Sequence, residues 1–106
     1  MAHRVVWPIY AILDLEEIVT GIAADSPAAA KATAKRIVSA TRLLVQFPYS
    51  GRTVPQFQPS TVRQIFVEEY RVVYEIVDEE MIEIWMVAHT RRKFPPRKIL
   101  DRKIFP

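Results

Sequence analysis

A chain of 106 residues, 50% apolar and 25% charged, buries roughly 60–70% of its unfolded surface, which suits one core and excludes two independent domains. With no cysteine and two glycines, it excludes disulfide scaffolds, collagen-like repeats, thiolate catalysis and Cys-based zinc sites. The net charge of +3 conceals a division: residues 1–90 hold 8 Lys and Arg against 11 Asp and Glu, whereas residues 91–106 hold 7 against Asp101 alone. Such a basic end attracts a polyanion or an acidic protein, or merely solvates the terminus.

In chain order, Arg4 to Trp7 is short and β-prone, and Pro8 then redirects the backbone, so these residues are expected to form a strand. From Tyr10 to Ala24, Ile12, Leu15, Ile18, Val19 and Ile22 follow the spacing of an amphipathic helix, with Asp14, Glu16 and Glu17 mainly on its other side. Asp25-Ser26-Pro27 ends that helix and starts the next, with Asp25 or Ser26 as N-cap and Pro27 in the first turn. Ala30, Ala34, Ile37, Thr41, Leu44 and Val45 mark its core stripe as far as about Gln46.

Phe47-Pro48-Tyr49-Ser50-Gly51-Arg52 breaks the second helix, and Pro55 and Pro59 extend a loop to about Thr61. Three β-rich runs follow, Val62 to Val67, Tyr70 to Val77 and Met81 to His89, spaced as an antiparallel meander. A two-residue turn at Glu68-Glu69 would pair Val67 with Tyr70, Phe66 with Arg71 and Ile65 with Val72. Ile65, Val67, Tyr70, Val72, Tyr74 and Ile76 then share one face, and Phe66, Arg71, Val73 and Glu75 the other. The fold class is therefore α+β: a strand, a helical hairpin, then a three-strand antiparallel meander. Residues 1–94 form the domain, and residues 95–106, containing Ile99, Leu100, Ile104 and Phe105 among basic residues, form a C-terminal tail.

No Walker loop, dinucleotide fingerprint, nucleophile elbow or metal-ligand spacing is present, so no cofactor or metal is expected. The adjacent carboxylates Glu16/Glu17, Glu68/Glu69 and Glu79/Glu80 lie in helices and turns, where neighbours point apart. What remains is a set of cations on the sheet half, Arg52, Arg63, Arg71, Arg91 and Arg92, with His89, Tyr70 and Tyr74. Arg71, inside an apolar strand, must reach solvent, a carboxylate or a phosphate. His89, at the last strand's end, is placed either for proton transfer or for capping. No segment approaches the roughly 20 apolar residues of a membrane span, and no signal layout opens the chain, so a cytoplasmic protein is expected.

Together these segments resemble the RelE/ParE superfamily of toxins from type II toxin–antitoxin modules. The carriers are Asp14-Leu15-Glu16-Glu17-Ile18, Ser26-Pro27-Ala28-Ala29-Ala30, Phe47-Pro48-Tyr49-Ser50-Gly51-Arg52-Thr53-Val54-Pro55, Tyr70-Arg71-Val72-Val73-Tyr74-Glu75-Ile76 and Val87-Ala88-His89-Thr90-Arg91-Arg92. The resemblance implies one of two activities, ParE-like inhibition of DNA gyrase or RelE-like cleavage of messenger RNA on the ribosome; a degenerate member would survive as a non-toxic binding module. For an endonuclease it implies Arg71, His89 and Arg91 as catalytic residues. Arg52, Arg63, Arg92 and Arg97 are then candidates for contact with the target or the antitoxin. The loop is more similar to ParE, although Gln56 stands where an acid commonly follows. Both branches imply a cognate antitoxin, held in a hetero-oligomer.

Overall fold

The computed structural model describes residues 3–55 and 61–92. Strand β1 (Arg4–Val6) leads through Pro8 into helix α1 (Ile9–Ala23), whose first turn hangs on the Pro8 carbonyl through the Ala11 and Ile12 amides. Helix α2 (Pro27–Leu43) begins as its sequence predicts: Ser26 is the N-cap, its Oγ accepting from Ala29 N at 3.1 Å, and Pro27 occupies the first turn. It stops at Leu43, earlier than the apolar stripe suggests, because Leu44 to Gln46 continue as a turn in which Leu44 still reaches the core.

The residues after α2 hold a short strand that their glycine and prolines hide. Strand β2 (Arg52–Thr53) pairs antiparallel with β3 (Val62–Val67), which pairs with β4 (Tyr70–Ile76), which pairs with β5 (Met81–His89). The sheet order is β1-β5-β4-β3-β2, and β1 lies parallel to β5, so the sheet is mixed. The β3–β4 register is the expected one, Val67 against Tyr70 and Phe66 against Arg71. Its turn contains no glycine, and Glu68 adopts φ 54°, a left-handed conformation that costs an L-residue about 1–2 kcal/mol. At the next turn Asp78 Oδ1 accepts from the Glu80 and Met81 amides at 2.7 and 2.9 Å. A side chain there performs the work of a tighter backbone turn.

The register of β4 on β5 shifts between Val73 and Tyr74, which face Met86 and Ile84 and leave Trp85 as the extra residue of a bulge. The bulge inverts the alternation of β5. Ile82, Ile84 and Val87 join Val72, Tyr74, Ile76, Ala11, Ile37 and Leu44 in the main core under the helices. Trp85, Met86 and Ala88 instead join Val73, Val62 and Val54 on the opposite face. Asp14, expected among the outward acids of α1, turns inward, and its Oδ2 accepts from Val87 N at 3.1 Å.

Tyr74 is fully buried, and its hydroxyl donates to Pro48 O at 2.7 Å and accepts from Gly51 N at 3.1 Å. Gly51 is required by this approach: a Cβ there would stand 2.5 Å from the Tyr74 hydroxyl and 2.8 Å from Gln64 O. Gly51→Ala is therefore expected to destabilise the fold by about 1–3 kcal/mol through overpacking, and Tyr74→Phe by about 1–3 kcal/mol through the orphaned loop groups, both read from urea unfolding midpoints. Burial raises the Tyr74 hydroxyl above its ordinary value of 10.0, against the opposing effects of the Gly51 amide and Arg63. A raised folded value contributes stability that is fully present below pH 10 and is lost as pH climbs through the raised value. Wild-type stability should accordingly fall with pH above 10, with a shallower fall in Tyr74→Phe. Asp14→Ala strands the Val87 amide and should cost about 1–3 kcal/mol, whereas Asp14→Asn, which keeps an acceptor, should cost less in the same assay.

Candidate functional site

The cations and aromatic groups of the sheet divide between its two faces. On the helix side, a cleft of about 600 Å³ opens between α1, the start of α2 and the ends of β4 and β5, lined in part by Asp14, Glu17, Gly21, Tyr70, His89 and Arg92. His89 Nδ1 accepts from the Arg91 amide at 3.0 Å, which leaves the proton of the neutral ring on Nε2, directed at Glu69 Oε2 at 3.1 Å. Tyr70 meets the imidazole edge-on, with ring centroids 5.5 Å apart. Burial, reinforced by the Glu69 and Glu68 charges, holds the Tyr70 hydroxyl above its ordinary value. It is a neutral donor at physiological pH. The Thr90 amide donates to Glu69 O and the Arg92 amide to His89 O, so His89 lies at the centre of the turn that closes β5.

On the other face, Phe66 is flanked by two guanidinium groups, Arg52 at 5.7 Å and Arg71 at 5.9 Å from its ring centroid. Pairing explains the arrangement: Arg71 stands directly opposite Phe66, while Arg52 stands opposite Gln64, one same-face step away. Arg71 donates to Thr90 O at 3.1 Å and to Gln64 Oε1 at 3.4 Å. The bonds direct the guanidinium across the hairpin instead of letting it extend outward.

Arg63, opposite the core residue Tyr74 and so on the helix side of the sheet, donates to Tyr49 O and Gly51 O at 3.1 and 3.0 Å and lies 5.0 Å over the Tyr49 ring. It clamps the loop that Tyr74 also holds. Arg91 and Arg92 are exposed, and Arg97 lies outside the described residues. The structure thus brings Arg52 and Arg71 together, places His89 with Arg92 at the cleft, and sets Arg63 apart. Tyr70 pairs with His89 and Arg71 with Ala88. Adjacent pairs face opposite ways, so Arg71 and His89 stand on opposite faces of the sheet.

Sequence reasoning passes over Asp14 and Phe66. For Asp14 the available signal is its position on the flank of the apolar stripe of α1; for Phe66 it is an aromatic on the strand face shared with Arg71. Among the described residues no group of three His, Cys, Asp or Glu side chains is arranged to hold a metal ion, and no helix is long and apolar enough to cross a membrane.

No curated protein sequence matches the chain. Among solved structures, a chain of the chromosomal ParDE toxin–antitoxin system of P. aeruginosa superposes with a TM-score of 0.67 at 21% identity, covering 83% of this chain and 96% of that one. That likeness concerns the fold. The family model for the ParE toxin of the type II toxin–antitoxin system parDE matches residues 5–94, a span that runs from β1 past the closing turn of β5 and takes in both faces described above. The chain belongs to the ParE toxin family of type II toxin–antitoxin systems.

Proposed function

We propose that the chain is a ParE-like inhibitor of DNA gyrase, kept inactive by a cognate antitoxin. The observation that carries this reading against ribosome-dependent RNA cleavage is the separation of Arg71 from His89 on opposite sheet faces. Cleavage through the RNA 2′-OH needs a base, an acid and a cation converging on one phosphate. Here His89 Nδ1 is occupied by the Arg91 amide of the closing turn and Nε2 by the Glu69 carboxylate of the β3–β4 turn, and Arg71 is held by Gln64 and Thr90 on the other side. The arrangement serves binding better than proton transfer.

Membership of the family implies an antitoxin, and the surface supports a masking role for it. Ile9, Leu13, Leu43 and Phe47 are each more than half exposed, a concentration of large apolar side chains around the helical hairpin and the segment after it. Such exposure marks a surface meant to be covered. The antitoxin covers these residues and, by holding the toxin in a hetero-oligomer, keeps it from its target.

Purified chain should inhibit supercoiling by gyrase and leave messenger RNA intact in a translating extract. Codon-phased RNA cuts with undisturbed supercoiling would overturn the assignment. His89→Gln should keep growth arrest within a few-fold, since glutamine retains hydrogen bonding; an endonuclease that relied on His89 for proton transfer would lose about 10²- to 10⁴-fold in rate. Co-expression of the antitoxin should restore growth, and Leu13→Glu should weaken that rescue while the free toxin keeps its thermal stability.

A further inference from the structure

We propose that the outward ridge of α2, formed by Lys31, Lys35, Ser39 and Arg42, is a docking surface for the phosphate backbone of duplex DNA. These residues follow one another at helical spacing, so they fall in one stripe about 80° wide, and Lys31 and Arg42 stand about 16 Å apart along the axis. All four are exposed, and the stripe lies opposite the buried face of Ala30, Thr33, Ile37 and Thr41. The charge of the ridge is not spent on folding. Helix α2 carries Lys31, Lys35, Arg36 and Arg42 and no acid, whereas α1 carries Asp14, Glu16 and Glu17 and no cation. Despite that neighbour, Lys31, Lys35 and Arg42 have no ion-pair partner among the described residues. Glu68, the acid that reaches α2 from the sheet, is taken up by Arg36 at 2.9 Å.

The makeup of the ridge selects the occupant. Phosphate oxygens are bound by Lys, Arg and hydroxyl donors, and the ridge presents these and nothing else that is large. It has no aromatic ring on which an unpaired base could stack, as single-strand sites require. It also lacks the bulky anchor on which protein interfaces depend: Ala28, which shares the stripe, is small, and the exposed Leu43 lies to one side, about 80° round the helix from Lys35. A duplex is stiff over this length and carries one phosphate per about 3.4 Å of rise on each strand. A straight helix with cations along its crest can therefore lie against it without either partner deforming. The inference goes beyond the proposed gyrase target and does not rest on it, because it concerns a ligand that the isolated chain binds.

The test is fluorescence anisotropy of the full chain with two labelled duplexes of unrelated sequence over a range of salt. The basic residues 91–106 contribute to every variant alike, so differences between variants carry the result. Lys31→Ala, Lys35→Ala and Arg42→Ala should each lower the slope of log K against log salt by about 0.9, the value for one phosphate contact on B-DNA, and the triple variant by roughly 2.7. Alanine is the best helix former, so thermal unfolding should not fall. Lys35→Glu should weaken binding more than Lys35→Ala. Arg4→Ala removes the same charge from an exposed position on β1 and should leave the slope unchanged. Both duplexes should bind alike, since phosphate contacts carry no sequence information. A triple variant with the affinity and slope of wild type would overturn the proposal. So would an equal loss in Arg4→Ala, which would make net charge alone the cause. Loss of antitoxin affinity in the triple variant with duplex binding intact would assign the ridge to an acidic protein and overturn it as well.

Discussion

The Tyr74 hydroxyl is the point on which the arrangement of this toxin depends. It lies in the main core, yet both of its hydrogen bonds go to the backbone of the segment that follows α2. The Arg63 guanidinium holds the same segment from β3, binding the Tyr49 and Gly51 carbonyls. Once that segment is seated, the two residues after Gly51 lie alongside β3 and become β2. Arg52 reaches Phe66 only as a result. A buried phenol thus positions an exposed cation on the far face of the sheet, and the absence of a side chain at Gly51 is what lets backbone and phenol meet.

The β5 bulge is the second organising feature. It allows one strand to serve two apolar faces, giving Ile84 and Val87 to the helix side and Trp85 and Met86 to the other. The Asp14 carboxylate binds the Val87 amide just beyond the bulge, joining α1 to the sheet at the place where the ladder is irregular. The phase established beyond the bulge puts His89 into the cleft beside Tyr70, while the paired Ala88 shares its face with Arg71. Alternation along the regular ladder beyond the bulge then separates His89 from Arg71.

Much of this was legible in the sequence, for definite reasons. Helical periodicity in α1 and α2, the Ser26-Pro27 start, and the two-residue spacing at Glu68-Glu69 are local signals, and the elements and the β3–β4 register follow from them. The parallel seat of β1 beside β5 depends on chain path, which no local pattern encodes. Strand β2 is two residues long and has no alternation to read. The bulge is hidden because Ile84 to Ala88 is apolar at every position, so a change of phase leaves no trace in hydrophobicity. The partition of the arginines was illegible because it depends on strand pairing: Arg52 meets Phe66 through the β2–β3 pairing, and Arg63 reaches back 14 and 12 residues to the Tyr49 and Gly51 carbonyls.

The pairing of Arg4 with Met81 and of Val6 with Glu83 also bears on the order of events during synthesis. The first strand leaves the ribosome long before the strand that it joins, and until then its edge has no partner in the sheet. Contacts of such sequence separation close late and slowly, because the intervening chain must first be ordered. The helical hairpin, by contrast, assembles from neighbours and is complete while the sheet is still unfinished. Its exposed apolar side chains, Ile9, Leu13 and Leu43 among them, are therefore in place before the sheet is closed, and the hairpin is the first surface of this fold that another protein meets.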